Sequence, residues 1–284
     1  MFRSGIISST GVAGSSGGGG SDADADAFLA AAGISDATIS GAITQFCLDL
    51  KSASIWTKFV AVYPFVGGTS STHKYNLKDP NDTDGAYRLT FGGGWTHDST
   101  GVTPNGTTGY ADTHINASTD LDFHDVSLSV YFGSDTGPGN KCWSGIHDHG
   151  LGDPGWQHMG HVDYFGGSKY LADTGDFGSA RLYADLTGGT CDEQMLTTSK
   201  IGTGASNHKL YQEGVEIGSI SSDSGSFPND TVYIGCTHTV GAGTEAGTFD
   251  DNQYKFIAFG LGLNGTEAGA LSTAVHALQS TLGR

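Results

Sequence analysis

The densest run of chemically competent side chains is Cys142 to Asp163, CWSGIHDHGLGDPGWQHMGHVD. His147 and His149 share one face of an extended chain, and His158, His161 and Asp163 could converge on them as imidazole and carboxylate ligands for a transition metal. The spacing matches no established metal signature, and a polar surface loop of scattered histidines is the other reading. Trp143 and Trp156 flank the insert, where they either stack on sugar rings or pin the loop to a sheet. A second candidate is LKDPNDTDGAYRL. Here Asp79, Asn81, Asp82 and Asp84 set oxygen ligands at short spacing before Gly85, as an acidic calcium loop does. The distal glutamate of an EF-hand is missing, so an Asp/Asn-rich turn accounts for the same residues.

Other apparent motifs carry little. Gly14-Ser15-Ser16-Gly17-Gly18 is formally G-x-S-x-G, but a nucleophile elbow needs a buried strand before it and a helix after it. The four cysteines, Cys47, Cys142, Cys191 and Cys236, show no C-x-x-C spacing. That excludes a zinc ribbon or a redox pair by pattern, and leaves one buried disulfide or four reduced core thiols open. Sequons at Asn81, Asn105, Asn116, Asn229 and Asn264 arise readily in a Ser/Thr-rich chain.

The elements that must position these residues are mainly strands. In His208 to Cys236, Leu210, Val215, Ile217, Val232 and Ile234 alternate within short runs parted by Glu213-Gly214 and Pro228-Asn229, which predicts three consecutive antiparallel strands. Further strands are expected at Phe59–Val66, with Pro64 at an edge or bend, and at 86–91, 109–113, 126–132, 159–165, 180–186, 194–201 and 254–261. Helical periodicity appears twice. After a short helix ending at Gly33, Ser35 is the expected cap of a helix presenting Ile39, Ile43, Phe46 and Leu50 on one face. Near the end, Thr266 is the expected cap for Leu271, Val275, Leu278 and Leu282, with Gly283 as the stop. The helical pair should cover an end or edge of the sandwich.

Residues 1–21 end in GSSGGGGSD and form a flexible arm, in which Phe2, Ile6, Ile7 and Val12 are the residues able to order against a partner. Residues 22–54 are a helical appendage, and 55–284 a single β-domain. A length of 284 residues with 46 glycines suits one large, turn-rich all-β domain better than an α/β fold. The net charge of −17 opposes binding to phosphate backbones or anionic lipid, so neither nucleic acid nor membrane insertion is expected. The apolar patch in MFRSGIISSTG is too short for a signal-peptide core, which fits a subunit assembled in a host cytoplasm.

Two resemblances sharpen this reading. Leu210-Tyr211, Gly214, Ile217-Gly218, a serine-rich loop, Pro228-Asn229 and Tyr233-Ile234-Gly235 resemble the late hairpin of concanavalin A-like (laminin-G-like) jelly-roll domains. That likeness implies an all-β, two-sheet antiparallel jelly-roll sandwich. Segments 27–80, 94–121 and 266–284, including AFLAAAGISDATISGAITQF and TEAGALSTAVHALQSTLGR, resemble a module of tail-, fibre- and capsid-associated structural proteins of tailed bacteriophages. What this implies is a non-enzymatic virion protein on the particle surface, as a tail fibre, head fibre or capsid decoration. Its partners would be other virion proteins, copies of itself and host-surface glycan. A lectin module and a polysaccharide depolymerase are the alternatives. Lectin-like relatives bind calcium at loop carboxylates, which would make Asp79, Asp82 and Asp84 its ligands here. Glycosidases of this fold carry Glu-x-Asp-x-Glu on one strand, two acids on one face. This chain has no such triplet, and Glu193, Glu213, Glu216, Glu245 and Glu267 fall mostly in turns or at a helix start.

Overall fold

Residues 125–134, DVSLSVYFGS, show how the chain is layered. Leu128, Val130 and Phe132 join one hydrophobic cluster, while Tyr131, pointing the other way, joins a second. The computed structural model describes residues 20–137, 141–148, 154–164, 167–176, 181–186, 191–221, 223, 225–240 and 246–284. Phe2, Ile6, Ile7 and Val12 of the arm, and His149, lie outside them.

Two helices lead, α1 (Ala23–Ala32) and α2 (Ala37–Ser52). Strand β1 (Phe59–Tyr63) and the helical turn α3 (Ser70–His73) follow, then β2 (Thr90–Gly92), β3 (Trp95–Asp98), β4 (Gly101–Pro104) and β5 (Tyr110–Asn116). Beyond the turn α4 (Ala117–Asp120) come β6 (Asp125–Ser134), β7 (Lys141–Asp148), β8 (Pro154–Tyr164), β9 (Gly167–Asp176), β10 (Arg181–Ala184) and β11 (Met195–Ile201). The last strands are β12 (His208–Gln212), β13 (Val215–Ile220), β14 (Thr231–Ile234), β15 (Thr237–Val240), β16 (Ala246–Gly247) and β17 (Gln253–Gly260). Helix α5 (Gly265–Thr281) closes the chain.

The first sheet runs β13-β12-β11-β6-β17-β4-β3, with β1 also on β17; the second runs β10-β9-β8-β7-β14-β5-β2, with β15 on β7 and β16. Between them lies a core that includes Phe132, Trp143, Ile146, Val232, Ile257 and Phe259. Outside the first sheet, Tyr131, Met195, Tyr211 and Phe256 pack against Ile43, Phe46 and Leu50 of α2 and Leu271, Val275 and Leu278 of α5. Each such side chain contributes about 1.5–3 kcal/mol by burial. Because β17 is covered on both faces, Tyr254 to Gly260 are all buried, and Phe256 to Phe259 read as a continuous apolar run rather than an alternating one.

The fold is the expected all-β, jelly-roll-like sandwich, with several local differences. The helices form a third layer on a sheet face rather than covering an end or edge, since Tyr131, Met195, Tyr211 and Phe256 present apolar side chains on the outer face of the first sheet. Of the three consecutive strands, β12 and β13 form the expected hairpin, but β14 crosses to the second sheet between β7 and β5. The stretch between Ile220 and Thr231 is long enough for that crossing, and Val232 and Ile234 enter the core from the opposite side. The caps are Asp36, whose carboxylate accepts from the Thr38 and Ile39 N–H groups, and Asn264, which forms a capping box with Glu267. Asp and Asn are the stronger caps at these positions, so the helices start from them rather than from Ser35, one position before, or Thr266, two positions after. The turns at 70–73 and 117–120 add short helices outside the two expected regions.

Candidate functional site

Of the residues singled out from the sequence, those whose side chains are described are occupied elsewhere. Trp143 is only 1% exposed and packs edge-on against Phe132 at 4.6 Å, so its ring is a core element and has no face to offer a sugar. His147, on β7, is likewise buried. Positions 156, 158, 161 and 163 (Trp156, His158, His161, Asp163) lie on β8, where the register pairs Trp156 with His147 and His158 with Gly145. The insert is therefore a strand pair rather than a loop, and the side chains of β8 lie outside the described residues. The acidic loop also has local partners. Lys74 Nζ lies 2.6 Å from Asp82, Arg88 lies 2.8 Å from Asp84, and Asp79 accepts from Asn81 at 2.6 Å. With cations of the chain already neutralising Asp82 and Asp84, the three carboxylates do not converge on a calcium position. Among the described residues no group of three or more His, Cys, Asp or Glu is arranged to hold a metal ion.

A site does form where the β12–β13 hairpin meets α5. The hairpin turns through Glu213 and Gly214, both at positive φ (54° and 74°), the pattern of a two-residue type I′ turn. A Cβ on Gly214 would sit 2.3 Å from Gly269 Cα, so only glycine lets the turn lie directly on the helix backbone. That docking delivers the Glu213 carboxylate to one face of α5. Its Oε2 accepts from Ser272 Oγ at 2.6 Å and from His276 Nε2 at 2.6 Å, and its Oε1 accepts from the Met195 N–H at 2.7 Å. Ser272 and His276 reach the same oxygen because i and i+4 share a helix face. A carboxylate oxygen accepts, so in this contact His276 donates through Nε2–H. The imidazole is also held edge-on by Tyr131 at 5.1 Å.

These groups line a cavity of about 650 Å³ bounded by Gln194, Gln212, Glu213, Val215, Ile217 and His276. Gln212 Nε2 donates to Gln194 Oε1, which orients both amides and leaves the Gln194 NH2 as a donor. Val215 and Ile217 give the cavity an apolar wall. The site thus combines a fixed acceptor, an imidazole, planar amides and an aliphatic surface, a composition suited to an uncharged polar ligand. Its one carboxylate already takes three hydrogen bonds. Glu193, beside Gln194 in the chain, is paired with Lys255 at 3.6 Å, and Glu216, next after Glu213, with Lys209 at 2.7 Å.

On the outer face of the second sheet, Tyr110, Tyr233 and His238 stack on one another. Tyr110 and Tyr233 stack at 5.0 Å, and Tyr233 and His238 at 4.0 Å and 4°, with Tyr233 and His238 buried. In sequence, Glu213 reads as a turn residue and His276 as a polar position on an amphipathic helix. The only local signal was the Ser272/His276 spacing.

No family model matches the chain, and no curated protein does. Among solved structures, domain 4 of AbnA, a GH43 extracellular arabinanase from Geobacillus stearothermophilus, in complex with arabinotriose, is similar over 76% of this chain and 98% of its own, at 14% identity and a TM-score of 0.53. A mutant Trypanosoma rangeli sialidase displaying trans-sialidase activity is similar over 83% of this chain and 39% of its own, at 12% identity and a TM-score of 0.50. At such identities the likeness establishes a shared β-sandwich fold.

Proposed function

We propose that this chain is a non-enzymatic carbohydrate-binding protein displayed on the surface of a tailed-phage particle, with the cavity at the β12–β13 turn as its glycan site. The cavity carries the binding part of this reading, because its acceptor, donor and apolar groups are fixed before any ligand arrives. The arabinanase domain of the same fold is in complex with arabinotriose, which supports a saccharide as the ligand class. Retaining and inverting hydrolysis both need two carboxylates about 5–10 Å apart. Glu213 is the one carboxylate in the described lining, and its hydrogen bonds suit it to holding a ligand rather than moving a proton. The likeness to phage structural modules supports assembly in a host cytoplasm, contact with other virion proteins and several copies per particle. Residues 1–21 then serve as the anchoring arm, and the acidic sandwich projects into solvent.

A glycan array probed with wild type and Glu213→Gln tests the binding claim. The amide keeps the size of the side chain but sets an NH2 group against donors that now meet oxygen. Signal on the preferred glycan should fall by about tenfold or more. An unchanged signal removes the cavity from consideration, and wild-type release of reducing ends from the bound glycan would overturn the non-enzymatic reading.

A further inference from the structure

We propose that the cavity selects N-acetylated amino sugars over the parent hexoses. This rests on the glycan reading above and names the group that the site recognises. None of the described lining residues is Phe, Tyr or Trp, so the site lacks the broad ring face on which the C–H face of a plain hexose packs. What it has instead is an aliphatic wall. Val215 is the most exposed large hydrophobic residue among those described, at 66%, and Ile217 stands beside it on the same strand.

The polar groups around that wall complement an acetamido substituent. Glu213 Oε1 takes a single hydrogen bond, from the Met195 N–H, and so retains a lone pair for a ligand N–H. The Gln194 NH2 can donate to a ligand carbonyl, its own oxygen being engaged by Gln212. Methyl, N–H and C=O therefore each meet a group of matching character. A ligand hydroxyl in place of the acetamide would leave the valine and isoleucine facing water and the Gln194 donor without a carbonyl. Acidic sugars fit poorly, since the chain carries a net charge of −17 and its cavity already holds a carboxylate. A deacetylated amino sugar would satisfy Glu213 by charge but forfeit the aliphatic contact.

Three β-1,4-linked disaccharides separate these cases, because they differ only at the 2-position: chitobiose, cellobiose and the glucosamine dimer. Calorimetric titration of the full chain should give an affinity for chitobiose at least about tenfold above that for cellobiose, the scale of one well-matched polar and apolar group. In a methyl-labelled sample, Val215 and Ile217 resonances should shift on adding chitobiose. Val215→Asp, at an exposed position, should abolish the preference. Equal affinity for chitobiose and cellobiose would overturn the inference while leaving glycan binding intact, as would tighter binding of the glucosamine dimer. Should none of these sugars, nor any glycan on an array, perturb the cavity, the glycan reading itself falls and this inference with it.

Discussion

Replacing Gly214 and Gly269 separately by alanine tests how the site is built, because the two glycines face each other with opposite requirements. Gly214 has φ +74°, where an alanine costs about 1–2 kcal/mol. Its new Cβ would lie 2.3 Å from Gly269 Cα and 2.6 Å from Gly269 N, more than 1 Å inside contact distance. Both are backbone atoms of α5 and cannot rotate away. The turn must lift by about 1 Å, enough to take the 2.6 Å bonds from Glu213 to Ser272 and His276 beyond hydrogen-bonding range. Water replaces part of what is lost, so the total is on the order of 3 kcal/mol, or roughly 5–10 °C in melting temperature for a domain of this size. A Cβ on Gly269 meets nothing within 4 Å, and alanine in a helix interior gains up to about 1 kcal/mol. Thermal melts paired with glycan titration should therefore show Gly214→Ala less stable and weakly binding, and Gly269→Ala equal to or above wild type in both. If Gly214→Ala melts and binds like wild type, the turn does not sit on the helix as described.

Two further outcomes follow from buried groups. Burial raises the Asp250 carboxyl to about 7, against its ordinary 3.8, even though Tyr254 donates to it. Its folded value exceeds the unfolded one, so the stability it confers is complete below about pH 3.8 and is lost as pH rises through about 7. Denaturant melts of Asp250→Asn and wild type should show the variant gaining relative stability by on the order of 4 kcal/mol between pH 4 and 7, then levelling off. His73 and His208, both lowered to about 3 by burial, lose stability in the opposite direction, as pH falls from 6.5, and cancel in this difference. A difference that does not vary with pH would show Asp250 to be ionised throughout. For Trp143→Ala, a cavity in the core predicts a loss of about 3–5 kcal/mol with glycan affinity unchanged in the folded fraction. Loss of binding at unchanged stability would instead return Trp143 to a ligand site.

Where the sequence was legible, burial is local and periodic. Ile43, Phe46 and Leu50 of α2, Leu271, Val275 and Leu278 of α5, and the alternation along β6 all follow the period of their own element. Strands β3, β4 and β15 lack such a signal. Trp95-Thr96-His97-Asp98 is a polar edge strand with no fully buried position. Trp143 misleads for a different reason: beside histidines it looks like part of a polar insert, whereas Cys142, Trp143 and Ile146 carry the apolar content of a core strand. The acidic loop carries its own counter-charges in sequence, since Lys74 and Arg88 stand near enough to balance Asp82 and Asp84.

The cavity lay beyond such reading because its parts meet only through the third layer. Ser272 and His276 stand 59 and 63 residues from Glu213, on a helix whose apolar stripe says that it packs but not against what. Tyr131 settles the matter physically. It points out of the first sheet, is buried among the residues that α5 covers, and holds the edge of the His276 ring. The same side chain therefore serves helix docking and imidazole orientation. A site fixed in this way needs little ordering when a ligand arrives, which favours recognition of small, weakly hydrophobic groups that could not offset the cost of closing a mobile loop.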